Sequence, residues 1–292
     1  EVSRGVSEVE WDADAAEKGG YEHYMLKEIH EQPRALRQAI SGRVDEMKGE
    51  VDLDLDLPDE YLNSLEEVQF VACGTSYHAA LYGAQLLRDR GIPARAFLAS
   101  EYALANPPAR DGTLLVAVTQ SGETADTLAA LREGAADGLA TLAVTNVVGS
   151  TAARECDDAV FIRAGPEIGV AATKTFTSQV ATLSLLAERL APARRGAASE
   201  DATSFLRALA DLPNAVADVL ADDRTAAVAS RFRNSDAYFF VGRATGYPVA
   251  LEGALKLKEI SYEHAEGFPA GELKHGPLAL VTPSTPVFAI CT

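Results

Sequence analysis

The chain has 292 residues, 47% of them hydrophobic, enough for two cores of roughly 100 to 150 residues each, and no apolar run approaches the ~18 residues of a membrane span. Forty-three acidic against 26 basic residues give a net charge of −17, which repels nucleic acid and anionic lipid and excludes both as partners. Cys73, Cys156 and Cys291 show no CxxC spacing and the five histidines no HxxxH pair, so the pattern predicts no disulfide framework, no metal and no cofactor, in a reducing cytoplasm. The acids are spread through DLDLDLPDE, ECDD and LADDR, which suits a salt-adapted cytoplasm where counterions screen self-repulsion.

Residues 1–20 read as a polar linker, and the absence of an initiator Met points to the internal part of a longer protein. From 21 to 48, Tyr24, Ile29, Leu36 and Ile40 recur at helical spacing, with Pro33 as a break or a first helical position. Asp52 to Pro58 alternates Asp and Leu but carries too much charge for an interior strand, and reads as a connector. An alternating series begins at Glu67. VQFVACGTS, Ala94–Leu98, TLLVAVTQ, LATLAVTN and DAVFIRA read as strands, with helices over Tyr77–Arg90, Thr124–Ala136 and Ala171–Leu190. Strands alternating with helices predict a parallel sheet covered on both faces.

ARRGAASED reads as a linker into helices at about 200–232, after which SDAYFFVGRATGYPVALEGALKLKE repeats the layout of EVQFVACGTSYHAALYGAQLLRD. The expected fold is therefore α/β, two parallel-sheet α/β/α sandwiches related by internal repeat, the second truncated, behind a helical arm. The boundaries are 1–66 for linker and arm, 67–191 for the first domain, 192–232 for linker helices, and 233–292 for the incomplete second domain.

Ionisable residues gather in EGALKLKEISYEHAEGFPAGELKHGP. Glu252, Lys256 and Glu259 follow i, i+4, i+7 and share one helical stripe beside apolar positions. That stripe reads either as an ordinary ion-paired helix or, with His275 downstream, as a proton-shuttling site. In a parallel sheet, ligands sit beyond the carboxyl ends of the strands. There CGTS and TQSGET offer the hydroxyls of Thr75, Ser76, Thr119, Ser121 and Thr124 and the amide of Gln120, with Gly74 and Gly122 permitting close approach. These side chains either cradle a phosphate or cap helices. Neither GxGxxG nor GxxxxGK[ST] occurs, which disfavours nucleotide binding of those kinds. Cys73 reads as a small core residue, and Lys174 as an anion partner or a solvated cation.

HYMLKEIHEQP, FVACGTSYHA, TQSGET, EIGVAATKTFTSQ, ALEGALKLKEISYEHAE and GELKHGPLAL together resemble the isomerase part of glutamine:fructose-6-phosphate amidotransferases, which is built from two SIS (sugar isomerase) domains. The resemblance runs along almost the whole chain. It implies conversion of fructose 6-phosphate and ammonia to glucosamine 6-phosphate, with the phosphate held by Ser76, Thr119, Gln120, Ser121 and Thr124. It implies sugar contacts from Thr75, Val170 and Ala172, Glu259 as the base between C1 and C2, and Lys256 as its electrostatic partner. It further implies ring opening by His275 reaching across a homodimer, and a glutaminase domain in the parent chain. Thr119 and Ala172 stand where the family usually has Ser. Absence of the family's C-terminal tail implies weak binding and poor turnover by this stretch alone. The alternatives are another SIS phosphosugar isomerase or deaminase, or a non-enzymatic sugar-phosphate sensor.

Overall fold

A computed structural model describes residues 17–191 and 200–292. Residues 1–16 and most of ARRGAASED lie outside it. The first unit is a five-stranded sheet of β3 (Glu67–Ala72), β4 (Ala94–Leu98), β5 (Thr113–Thr119), β6 (Ala140–Thr145) and β7 (Asp158–Phe161). It is parallel throughout, in the order β4-β3-β5-β6-β7. β3 and β5 are buried at every position, as a sheet covered on both faces demands.

Alternation along the strands divides the core. Val68, Phe70, Leu114, Val116, Leu142 and Val144 point into one cluster, which α3 (Gly74–Asp89) and α7 (Lys174–Leu190) cover. Val71, Leu115, Ala117 and Ala143 point the other way, onto α5 (Ala125–Ala136). The two polar side chains of β3 are paired: Glu67 with Arg95 at 2.6 Å, and Gln69 with the Tyr102 hydroxyl at 3.0 Å. Because β4 lies on one side of β3 and β5 on the other, α3 and α5 leave the sheet on opposite faces. That opens a crevice at the carboxyl ends of β3 and β5.

The arm departs from the expectation at Pro33. α1 runs unbroken over Tyr24–Ile40 with Pro33 inside it. A proline there removes the donor that would reach the carbonyl of residue 29. The Gln32 side chain donates to that carbonyl instead, at 2.9 Å, and the following turns bury Ala35, Leu36, Ala39 and Ile40. Between α1 and β3 lie two short strands, β1 (Val44–Asp45) and β2 (Glu50–Val51), and helix α2 (Asp59–Asn63); residues 52–58 form no strand. After β4 and β6 come short helices α4 (Tyr102–Ala105) and α6 (Thr151–Glu155).

Helix α8 (Glu200–Leu220) joins the first core: Leu206 and Leu209 are buried in the same cluster as α3 and α7. Its Phe205 ring lies 4.8 Å from the Arg90 guanidinium, which also pairs with Glu188. By contrast α9 (Arg224–Phe232) buries none of its residues. The second series follows as β8 (Tyr238–Gly242), α10 (Gly246–Ser261), β9 (Ala265–Pro269) and β10 (Val287–Ile290). Its parallel order, β10-β8-β9, repeats β5-β3-β4.

Candidate functional site

The two hydroxyl-rich loops lie side by side, because β3 and β5 are neighbours in register. Gly74 has φ 55° and opens α3; Gly122 has φ 70° inside the β5–α5 turn. A Cβ on Gly122 would come within 2.2 Å of the Ser150 Oγ, so only glycine fits where this turn closes on α6. The Thr119 Oγ1 accepts from the Gly122 amide at 3.2 Å and lies 3.3 Å from the Thr124 hydroxyl. Ser121 Oγ accepts from the Glu123 amide at 3.1 Å. The backbone carbonyl of Gln120 accepts from the Asn146 amide, 3.1 Å away, tying the loop to the end of β6.

Thr124 occupies the N-cap position of α5 and Cys73 that of α3, and neither makes a side-chain cap bond. Thr75 and Ser76 are engaged elsewhere. Ser76 Oγ receives the Gln179 Nε2 at 2.9 Å, leaving its own proton free for an acceptor in the crevice. The crevice therefore sets the first-turn amides of α3 and α5 beside these hydroxyls, an arrangement that favours an anion.

Thr75 joins this cradle to α10. Its hydroxyl donates to Glu252 Oε1 at 2.9 Å and accepts from Lys256 Nζ at 3.1 Å. Lys256 also contacts Glu252 Oε1 at 3.3 Å and Glu259 Oε2 at 2.5 Å. The stripe read from the i, i+4, i+7 spacing thus exists, and its Lys is held between two carboxylates. Glu252 is buried, while the Glu259 side chain keeps 32% of its surface open toward solvent. Of the two carboxylates, only Glu259 is accessible to a molecule entering from solvent. Along the same wall, burial and then the neighbouring Tyr247 raise the Tyr77 phenol above its ordinary value, and burial alone raises Tyr247. Both rings stay neutral.

His78 and Gln179 escaped the sequence reading, and Glu252 was visible only as a stripe member. His78 Nδ1 lies 2.7 Å from Glu252 Oε2. The local signal was only that His78 falls one helical turn after Thr75 on α3; its partner is 174 residues away.

Val170 and Ala172 sit on the segment between β7 and α7, at the same edge of the sheet. The Val170 side chain is 98% exposed. Lys174 is neither solvated nor free for an anion: it is 1% exposed and donates to Glu31 Oε2 at 2.6 Å. His275 lies in the turn after β9, exposed, with its backbone amide bonded to the Glu272 carbonyl at 2.9 Å. Among the described residues its imidazole makes no hydrogen bond or ion pair, so this chain does not bring it onto Glu259 by direct bonding. No group of three or more ionisable or thiol side chains with metal-holding geometry occurs among the described residues, and no helix there is long and apolar enough to cross a membrane.

A parallel sheet with a hydroxyl-lined crevice at its strand-order reversal, joined to a Lys-carboxylate stripe from a repeat of the same fold, is the architecture of the SIS class of α/β proteins. The SIS domain model matches residues 61–189 and 231–292. The chain is 59% identical to a glutamine–fructose-6-phosphate aminotransferase (isomerizing) of Halobacterium salinarum, over 100% of this chain and 49% of that protein. The same-named protein of Methanosarcina acetivorans is 51% identical over 98% of this chain and 47% of its own length. Among solved structures, the C-terminal domain of glucosamine-fructose-6-phosphate aminotransferase from Francisella tularensis superposes with a TM-score of 0.86 at 38% identity. That match covers 94% of this chain and 77% of that one. The chain belongs to the SIS-domain family, as the isomerase part of the glutamine–fructose-6-phosphate aminotransferases. It spans about half the length of the curated relatives it matches.

Proposed function

We propose that this chain binds fructose 6-phosphate at the reversal of the first sheet and carries out the isomerising half of glucosamine 6-phosphate formation. The phosphate rests on Ser76, Thr119, Gln120, Ser121 and Thr124, with Thr75, Val170 and Ala172 along the sugar. Once ammonia has condensed at C2, Glu259 takes the proton from C1. The C1–H electrons form the C1–C2 double bond, and the C2–N π electrons move onto nitrogen. Glu259 then returns the proton to C2 as the C1 hydroxyl becomes the carbonyl, the hydroxyl proton lost to solvent balancing the one that nitrogen takes up, which gives the aldose amine. Lys256, 2.5 Å from Glu259 Oε2, is the electrostatic partner of this base. One observation carries this reading: Thr75 bonds both Glu252 and Lys256 while its neighbour Ser76 belongs to the cradle. That contact supports a single site for the phosphate and the proton-transfer groups.

The exposed His275 opens the sugar ring in a site completed by a homodimer, in which the partner subunit's His275 reaches the crevice. Ammonia comes from a glutaminase domain of the parent chain. The net charge of −17 and the haloarchaeal relative support work in a salty cytoplasm, where melting temperature rises from low to multimolar KCl.

Calorimetric titration with fructose 6-phosphate, glucose 6-phosphate and inorganic phosphate tests the assignment, alongside deuterium exchange at C1 followed by NMR. Sugar phosphates should bind more tightly than phosphate, and Ser121→Ala should weaken all three. Glu259→Gln should bind normally but exchange roughly 10²- to 10⁴-fold more slowly. Binding indifferent to Ser121→Ala would place the ligand elsewhere.

A further inference from the structure

Glu28 of α1 is a carboxylate that the proposed chemistry does not use. It is 2% exposed, and among the described residues it has no cationic partner. Its Oε1 accepts from the amides of Ile168 at 2.6 Å and Gly169 at 3.1 Å, and its Oε2 from Gly169 at 3.2 Å. A buried carboxylate is costly unless its lone pairs are filled, and here two consecutive amides of the β7–α7 segment fill them. The fit is close: a Cβ on Gly169 would lie 2.5 Å from Glu28 Oε2.

The far end of the same segment is tied to the same helix. Lys174, the first residue of α7, donates to Glu31, three residues after Glu28 and so on the same face of α1. Just before the first anchor, Glu167 closes the segment on itself, accepting from the Thr173 amide at 2.8 Å and the Thr175 amide at 3.3 Å. Gripped at 168–169 and at 174, the chain forms an arch at Val170 to Ala172, with Val170 in the open and Ala171 buried. The arch stands at the carboxyl edge of the sheet, and the helix it enters sends Gln179 to Ser76 in the cradle. No hydrogen bond joins Glu28 to either cradle loop among the described residues.

We propose that Glu28 is a positioning residue that fixes the Val170–Ala172 arch against the sugar portion of a phosphorylated sugar, adding to sugar selectivity and nothing to phosphate affinity. This rests on the sugar-phosphate reading above. It follows from the division of labour: the cradle belongs to the ends of β3 and β5, whereas Glu28 holds only the segment after β7. Loss of the carboxylate leaves the Ile168 and Gly169 amides competing for a weaker acceptor and frees the arch.

The test uses this chain with Glu28→Gln and, independently, Gly169→Ala, whose added methyl forces the same segment away from Glu28. Two readouts are taken: calorimetric titration with fructose 6-phosphate and with inorganic phosphate, and hydrogen exchange of the segment containing residues 168 and 169. Both variants should bind fructose 6-phosphate roughly tenfold more weakly, bind inorganic phosphate as the unmodified chain does, and exchange faster at 168–169. An equal loss for both ligands would mean general destabilisation and overturn the proposal. So would unchanged sugar preference, or unchanged exchange in Glu28→Gln. If the unmodified chain fails to prefer the sugar phosphate, the functional reading falls and takes this one with it. If it does prefer it and both variants keep that preference, only the role of Glu28 is refuted.

Discussion

His78 Nδ1 and Glu252 Oε2 meet at 2.7 Å across the junction of the two repeats. The same carboxylate reaches Thr75 and Lys256 through its other oxygen. One buried Glu from the second repeat thus organises a histidine and a threonine of the first, and steadies the Lys that faces Glu259.

Replacing Glu252 by Leu should cost about 3 kcal/mol, because His78 and Lys256 stay enclosed while losing their shared carboxylate. Urea unfolding of Glu252→Leu, His78→Ala and the double variant should give a coupling of about 1–3 kcal/mol. Additive losses would show that the two residues do not act through this contact.

Gly122→Ala should destabilise the chain by about 2 kcal/mol or more, since φ of 70° and a Cβ 2.2 Å from the Ser150 Oγ cannot both be accommodated. Sugar-phosphate binding should fall with it. Adding Ser150→Ala should restore little, because the Ser150 Cβ itself would lie 2.4 Å away. Full rescue by that second change would mean the turn is softer than its geometry indicates.

Leu206→Ala on α8 should cost about 2–5 kcal/mol, the range for truncating a fully buried leucine. Val228→Ala on α9, where the side chain is exposed, should stay within about 0.5 kcal/mol. Equal small effects would detach α8 from the first core.

Burial, followed by nearby carboxylates, pushes the phenols of Tyr61 and Tyr102 up to about 12 from an ordinary 10. A raised phenol favours the neutral form in the fold, so its contribution is whole below the unfolded value of about 10 and is lost as pH climbs toward 12. Burial raises the Cys156 thiol to about 12 as well, with the same sign. Stability from urea curves should fall between about pH 9 and 12, most of it above 10 where the two phenols add to the thiol. Tyr61→Phe with Tyr102→Phe should flatten that fall, while costing about 1 kcal/mol per lost hydrogen bond near neutrality. An unchanged slope would assign the alkaline loss to other groups.

Sequence alone determined the alternating elements from β3 to α7, their repetition after residue 236, the two hydroxyl-rich strand ends and the Glu252-Lys256-Glu259 stripe. Each is a local pattern, set by side-chain period or by glycine at a turn, and is legible without knowing what it faces. Tertiary structure decided how far α1 extends past Pro33, because the orphaned Ile29 carbonyl found the Gln32 side chain and the turns beyond it found a core. It also decided that α8 packs into the first unit, and that Lys174, open in sequence to either a solvent or an anion role, is buried on Glu31. The pairing of His78 with Glu252 and of Glu28 with the amides of 168 and 169 joins residues more than a hundred positions apart. A hydrogen bond needs both partners within about 3 Å and aligned, and no one-dimensional period encodes which two faces the folded chain will bring together.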